Sequence, residues 1–260
     1  MINLEYTEVV GWRHAIRGMR NPKNSWHLSD TVYLPFSQCR TKEEAEIATM
    51  CGDVAPLIGK NDLKLMTTLD KAGTDHRKFM RMLMVYVDID APLYWWKEFD
   101  TYKVGTVANS CSTMHKIHAK EFELDDFSHE HLFDGIDLVE GNNDMEYYEN
   151  PTTCLKYVIK VMEYYRRQFN AATEKLKRTD LTEAERKHTK RQQKAFWYQM
   201  IQLLPTSYNQ RRTILFNYEV LANMYKSRKY HKLTDWHTLC AWIESLPYSF
   251  LITGEENDNA

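Results

Sequence analysis

The segment Leu204–Trp236 constrains the fold more than any other part of the chain. It begins with Leu204-Pro205, continues through a run rich in β-branched and aromatic residues, and takes on a helical pattern from Asn217 onwards. The apolar face of that helix also carries Asn217 and Arg228, about 16 Å apart along a helix axis. Because a buried polar group without a partner costs about 1–3 kcal/mol, either neighbouring side chains satisfy both groups or a long polar ligand lies along the helix.

The composition of the chain argues against several classes of protein and of binding partner. The 260 residues suffice for one large domain or two small ones, and we expect a single domain over 1–260 because no repeat or linker interrupts the chain. A net charge of −2 argues against a nucleic acid polymer as partner. No stretch approaches the roughly 18 apolar residues of a membrane span. The amino terminus does not resemble a signal peptide. Five scattered cysteines without a Cys-x-x-Cys pair predict reduced thiols and a cytoplasmic protein.

A strand and a following helix are predicted before residue 100. From Met82 the chain alternates, so that one face is wholly apolar and the other ends in Asp88 and Asp90. The apolar face consists of Leu83, Val85, Val87 and Ile89. Ala91-Pro92 then opens a helix, since proline suits a helix's first turn. The small, hydroxyl-rich segment after Lys103 is predicted to be a loop.

Helix-start signals predict the remaining elements. Capping boxes at Thr41 and Thr182, and possible caps at Asn61-Asp62 and Thr234-Asp235, each mark a helix. A long helix from Asn150-Pro151 carries an apolar stripe and returns after Thr182, ending near Pro205. The stripe consists of Val158, Val161, Met162, Tyr165 and Phe169. The sequence therefore predicts an α+β protein with a long, charged helical hairpin over about residues 150–205, and an acidic surface loop over residues 121–150.

Four groups of residues are candidates for chemistry. His129 and His131 beside Asp125 and Asp126 suggest a metal, but the i, i+2 spacing is wrong for a helical pair, so we expect no metal. Cys111 with His115 and His118 fits either a nucleophile with its base or a buried thiol with surface histidines. The segment Asn109–Thr113 fits an oxyanion or phosphate site or a loop satisfied by its own bonds. Asn217 with Arg228 is the fourth group. No dinucleotide or phosphate-loop fingerprint is present.

Two spaced blocks resemble the flavin-dependent thymidylate synthases. Leu204-Pro205, then Asn217, Asn223 and Arg228, matches the carboxy-terminal motif of that family, and the amphipathic helix from Trp236 to Ile243 follows it as it does there. The family's other block is a strand, Ala-Pro and a helix leading to Arg-His-Arg-x-x-Ser-x-Asn-x-x-Ser-x-Arg. Here Met82–Asp90 and Ala91-Pro92 align with it without a gap. The resemblance covers about residues 61–115 and 195–250.

The chain departs from the family at its arginines. Thr101-Tyr102-Lys103 replaces Arg-His-Arg, so only the last cation survives. Asn109 and Ser112 match the later Asn and Ser only with one inserted residue. Ile201 and Glu219 stand where the family has arginines, and the first of these contacts phosphate there. Each arginine lost removes a charge-assisted bond of about 1.5–3 kcal/mol.

The resemblance implies a central, mostly antiparallel sheet flanked by helices, with FAD bound between the subunits of a homotetramer. It also implies NADPH as the reductant of the flavin, methylenetetrahydrofolate as one-carbon donor, and methylation at C5 of dUMP or a related pyrimidine nucleotide. By position, the flavin would be held by His76, Lys103, Asn217 and Asn223. The nucleotide would be bound by Glu98, Asn109, Ser110, Ser112 and Arg228.

Arg228 would orient the pyrimidine, and Glu98 replaces a Gln that contacts the nucleotide in the family. No residue is assigned as a catalytic acid, base or nucleophile, because the flavin carries the redox chemistry. The alternative is a non-catalytic relative that binds nucleotides or other proteins. In that reading, the charged hairpin Asn150–Pro205 is the surface that contacts a partner.

Overall fold

The computed structural model describes residues 1–134 and 150–254. The strands are β1 (Asn3–Val10), β2 (Val32–Pro35), β3 (Val54–Leu57), β4 (Met84–Pro92), β5 (Val107–Ser110) and β6 (Asn209–Asn217). The first helices are α1 (Trp12–Arg20), α2 (Lys42–Met50), α3 (Lys60–Lys71), α4 (Leu93–Phe99) and α5 (Thr113–Lys116). The later helices are α6 (Pro151–Leu176), α7 (Glu183–Leu203), α8 (Tyr218–Arg228), α9 (Thr234–Glu244) and α10 (Phe250–Thr253).

The main sheet has four strands in the order β1-β4-β6-β5. β1 runs antiparallel to β4, from Asn3 opposite Asp90 to Val10 opposite Met84, and β5 runs antiparallel to β6. β2 and β3 form a separate antiparallel pair. The predicted α+β class, with a mostly antiparallel sheet flanked by helices, is confirmed.

The apolar alternation around β4 is confirmed. Leu83, Val85, Val87 and Ile89 are all buried, with at most 1% of each residue exposed. The strand begins at Met84 rather than Met82, because residues Lys78–Met82 form a 3₁₀-helix. The hydrophobic face of this central strand therefore anchors the sheet, as its period of two requires.

The segment after Lys103 is not only a loop, which corrects the prediction. Residues Val107–Ser110 form β5, with Val107 opposite Leu215 and Ser110 opposite Arg212. All four residues of β5 are exposed, so no apolar alternation signals the strand. Its formation depends on pairing with β6, a strand about one hundred residues away in the chain.

The chain divides into two compact units. The first consists of Met1–Asp90, Lys97–Ser110 and Arg211–Ala260, and the second of Ala91–Trp96 and Cys111–Gln210. The predicted helical hairpin lies wholly in the second unit. The prediction of one domain over the whole chain stays a prediction.

The hairpin α6–α7 begins and ends where the sequence signals predict. The Asn150 side chain accepts a hydrogen bond from the Thr153 N–H (3.1 Å), and Thr182 with Glu185 forms a capping box at the start of α7. The core beside the hairpin consists of Ile117, Phe122, Phe127, Leu155, Ile159, Met162 and Met200. Phe122 and Phe127 belong to the stretch predicted as surface loop, so that prediction is wrong for them. Residues 135–149 of that stretch lie outside the described residues.

Two predicted helix caps are corrected. α3 begins after Gly59, and two N–H groups of its first turn, those of Asn61 and Asp62, donate to the Asp30 carboxylate at 2.9 and 3.1 Å. Asp62 is instead fully buried and accepts from Arg20 Nε at 2.6 Å. α9 begins after Leu233, which places Thr234 and Asp235 inside its first turn. The capping box at Thr41 is confirmed.

No helix among residues 1–134 and 150–254 is both long enough and apolar enough to span a membrane.

Candidate functional site

Helix α8 begins after Asn217, which is the last residue of β6 and caps the helix. The Asn217 Oδ1 atom accepts a hydrogen bond from the Val220 N–H at 3.0 Å. Leu221 and Met224 of the same helix are fully buried. Because this cap uses the carbonyl oxygen of the amide, the Nδ2 group remains the donor end of the side chain.

Gly105 lies directly beside this first turn. Its φ is +82°, and a Cβ atom placed on it would come within 2.7 Å of Val220 Cγ2 and 3.3 Å of Asn217 Nδ2. Glycine is therefore required at this position for two reasons, the left-handed backbone conformation and the close packing. The absence of a side chain lets the backbone of this loop approach the amide of Asn217.

Arg228 closes the other end of α8 and is held by side chains from two other segments. Its Nε donates to the Tyr102 hydroxyl at 2.9 Å, and its Nη1 donates to Glu98 Oε2 at 3.0 Å. The guanidinium carbon lies 4.3 Å from the Trp236 ring centroid, within the range of a cation–π contact. The side chain is 16% exposed, so the cation is held in one place while part of it still meets solvent.

Glu98 is the acceptor on which this cluster converges. Its Oε2 atom also accepts from Trp236 Nε1 at 3.1 Å and lies 3.6 Å from His231 Nε2. The side chain is 36% exposed. A carboxylate only accepts hydrogen bonds, so Glu98 occupies an N–H group of Arg228 that would otherwise be available to a ligand.

These contacts bear on the two alternatives for the polar ends of α8. Asn217 Oδ1 and two N–H groups of Arg228 have protein partners, as expected for a core helix with satisfied ends. A guanidinium has five N–H donors, however, and within the described residues these two bonds engage two of them. The remaining donors, with Asn217 Nδ2, are the groups that a ligand along this helix would meet.

Glu219 stands where the resembled family has an arginine, and its carboxylate pairs with the cation of Arg77. Glu219 is 6% exposed and lies 2.8 Å from Arg77 Nε, while Arg77 Nη1 donates to Asp70 at 3.0 Å. Burial acts to lower the pKa of Arg77, but the hydrogen bonds and charges of Asp70 and Glu219 outweigh it and raise that pKa. The first turn of α8 therefore retains an arginine beside it, supplied from residue 77.

The other predicted site residues occupy different places. In the first unit, His76, Lys103, Asn109, Ser110 and Asn223 are all exposed. Ser112 belongs to the second unit, where its hydroxyl accepts from the His115 N–H at 3.2 Å and caps α5. The structure therefore brings together Glu98 and Arg228 by direct contact, and the ligand-binding roles of all nine residues stay predictions.

The structure adds little support for a catalytic role of the candidate residues in the second unit. Cys111 is exposed, and His118 stacks on Phe169 with 4.5 Å between ring centroids. Burial, with the charges of Lys116 and Arg166, lowers the pKa of His118. In the described part of the chain, no three His, Cys, Asp or Glu side chains are placed to hold a metal ion.

Sequence reasoning missed Tyr102, His231, Trp236 and Arg77 as members of the site. Tyr102 falls in the triplet that stands where the resembled family has Arg-His-Arg, and the sequence pattern marks Trp236 only as part of an amphipathic helix. All four are buried or half-buried, and none carries a local sequence signal of a shared partner. An aromatic residue at both positions was the available hint, because arginine side chains stack on aromatic faces.

Comparison with known proteins finds similarity at the level of structure. No known protein family matches the sequence, and no curated protein matches it either. The structure is similar to thymidylate synthase X (ThyX) from Helicobacter pylori solved with FAD and dUMP, with a TM-score of 0.56, 14% identity and 98% of each chain covered. A second structure, flavin-dependent thymidylate synthase ThyX from Helicobacter pylori complexed with FAD and dUMP, gives 0.54 and 14%, covering 97% of this chain and 98% of that one. The ThyX-like fold follows from these matches.

Proposed function

We propose that this protein is a flavin-dependent enzyme that transfers a one-carbon unit to C5 of a pyrimidine nucleotide of the dUMP type. The observation that carries the proposal is the likeness over almost the whole chain to ThyX structures that contain FAD and dUMP. The two sequence blocks that resemble this family support it from a separate direction.

The donors on the first unit suit a dinucleotide with a diphosphate. Asn217 keeps its Nδ2 group because its carbonyl oxygen caps α8, and the exposed Lys103, His76 and Asn223 offer ammonium, imidazole and amide groups. FAD needs donors of this kind for its phosphates and for the polar edge of its ring. We assign these four residues to FAD, which would supply the redox chemistry of the reaction.

The nucleotide would be bound around Arg228. This guanidinium is held by Tyr102 and Trp236, so it would meet a pyrimidine edge without first losing side-chain freedom. A cation held at this point also offsets negative charge that develops on the base. Glu98, Asn109, Ser110 and Ser112 are the further residues assigned to the substrate.

NADPH, methylenetetrahydrofolate, a homotetramer and a cytoplasmic location are part of the same proposal. The exposed strand β5 supports the assembly, since an uncovered edge strand is a ready surface for another chain.

A second candidate is a nucleotide-binding or protein-interaction module without catalysis. The ion pair between Glu98 and Arg228 favours it, because the one cation assigned to the base already has a protein partner. So does Thr101-Tyr102-Lys103, which keeps only the last cation of the family's triplet.

The visible spectrum of the purified protein separates these candidates. Flavin absorbance that remains with the protein after gel filtration is expected for the enzyme. A colourless protein that takes up no added FAD would contradict the proposal. With flavin bound, release of tritium from C5-labelled dUMP, or from its cytosine counterpart, tests the reaction itself, and turnover of neither would reject it.

Arg228→Ala should abolish dUMP binding while flavin absorbance is retained, because the guanidinium is assigned to the base. Arg212→Ala is the matched control. Arg212 is 14% exposed and pairs with Asp100 at 2.8 Å, much as Arg228 pairs with Glu98. Calorimetry should find dUMP binding unchanged in the control, and equal affinity in the two variants would contradict the role of Arg228.

A further inference from the structure

Helix α7 carries a row of four cations on its solvent-facing side. We call Lys187, Lys190, Arg191 and Lys194 the α7 row; all four are exposed. They occupy positions i, i+3, i+4 and i+7, which lie on one face of a helix, opposite the buried Thr189 and Met200. At 1.5 Å per residue the row extends for about 10 Å along the helix.

The α7 row lacks the ion pairs that other cations of the second unit form. Arg166 pairs with Glu163, Lys177 with Glu174, and Lys120 with Asp126. Arg178 pairs with Asp180 as well. No member of the α7 row forms an ion pair with any residue in 1–134 or 150–254. The net charge of −2 for the whole chain therefore does not describe this surface, whose four cations have no carboxylate partner among the described residues.

Exposed aromatic rings accompany these cations. Tyr198 lies one turn beyond the row on the same face and is 42% exposed, with Lys194 Nζ 5.8 Å from its ring centroid. On the other helix of the hairpin, Tyr157 and Tyr164 are 67% and 56% exposed, with the exposed Lys160 between them. Large aromatic side chains in water present flat apolar faces on which a base can stack.

We propose that the α7 row with Tyr198 binds single-stranded nucleic acid. Cations about one helical turn apart match a chain of phosphates, and an exposed ring at the end of the row supplies a stacking face. An acidic protein segment would satisfy the cations but would leave Tyr198 without a role. The α7 row and Tyr198 include none of the residues assigned to FAD and nucleotide, so this proposal does not depend on the proposed enzymatic activity.

The test is fluorescence anisotropy of labelled oligothymidylate and oligouridylate with the full-length protein at several salt concentrations. Four phosphate contacts predict that log K falls with log salt with a slope of about −3, at roughly −0.7 per contact for single strands. The proposal would be overturned if neither oligonucleotide bound at low salt. This holds also if the surface bound only an acidic protein or a second copy of the chain.

Two double variants distinguish binding by the α7 row from attraction to the overall charge of the protein. Lys187→Gln with Arg191→Gln should reduce the salt slope by about 1.4 and weaken binding by about 25-fold near 0.1 M salt. The control, Lys177→Gln with Arg178→Gln, removes one lysine and one arginine from the same hairpin, but both are ion-paired. The loss of affinity in this control should be about an order of magnitude smaller than the loss in the test pair. Equal losses in the two variants would show attraction to overall charge alone and would refute the site.

Tyr198→Leu should weaken single-strand binding by about fivefold or more, and Tyr198→Phe should restore it, because stacking needs the ring and not the hydroxyl. Duplex DNA of the same length should bind more weakly than the single strand and should not respond to Tyr198→Leu. Duplex binding as tight as single-strand binding, with Tyr198→Leu silent in both, would overturn the assignment to a single strand.

Discussion

Replacing Glu98 with glutamine should strengthen binding of dUMP. Glu98 Oε2 accepts from Arg228 Nη1 at 3.0 Å and from Trp236 Nε1 at 3.1 Å. Glu98→Gln keeps the shape and one acceptor oxygen but removes the negative charge. Arg228 would then be released more easily toward a bound base, and the negatively charged nucleotide would approach a site with one anion fewer.

The size of the effect follows from the bonds involved. Glu98→Gln changes a bond between two charged groups into a bond between the Arg228 cation and a neutral amide, and a partly exposed ion pair contributes about 1 kcal/mol at most, so the competing bond weakens by up to about 1 kcal/mol. Because Glu98 is 36% exposed, solvent screens part of this difference and the value is an upper bound. A change of 1 kcal/mol corresponds to about fivefold tighter binding of dUMP.

Isothermal titration of dUMP into wild-type protein and the variant measures this difference. Glu244→Gln is the matched control, because Glu244 also accepts a hydrogen bond from a neighbouring side chain, the Tyr225 hydroxyl at 2.6 Å, and no role toward the ligand is assigned to it. Its dUMP affinity should be unchanged. Weaker or equal binding by Glu98→Gln would refute the view that Glu98 competes with the nucleotide for Arg228.

Three further predictions concern stability. Asp62→Ala should lower the free energy of unfolding by about 3–5 kcal/mol in denaturant titrations, because it strands the buried guanidinium of Arg20, and a loss below about 1 kcal/mol would contradict a structural ion pair. Burial acts to raise the pKa of Asp62, but hydrogen bonds from Thr31, Ser29 and Arg20 outweigh it and hold that pKa below its ordinary value. The contribution of the Asp62 carboxylate to the free energy of unfolding is therefore complete above about pH 4 and is lost as the pH falls through the folded-state pKa. Asp62→Asn should therefore remove this part of the loss of stability in acid. Gly105→Ala should cost about 1–3 kcal/mol more than Gly73→Ala, since both have positive φ but only the Cβ at 105 meets other atoms; equal thermal shifts would argue against that packing.

The sequence alone determined those elements whose signals are local. The alternation from Leu83 to Ile89 fixed the buried face of β4 because successive strand residues point to opposite sides. The capping boxes at Thr41 and Thr182 fixed two helix starts because each joins groups only three residues apart. The asparagine at 217 marked the change from β6 to α8 for the same reason.

Tertiary structure alone decided which polar groups meet. Glu98 and Arg228 are 130 residues apart, and Arg77 and Glu219 are 142 apart, so no periodicity or cap links them. The sequence predicts Asp62 as a helix cap, but in the structure Asp62 is the buried partner of Arg20. The sequence predicts Val107–Ser110 as part of a loop, but these residues form strand β5 by pairing with β6. Such pairings depend on which segments the packing of the core brings into contact, and short-range sequence patterns hold no information on that.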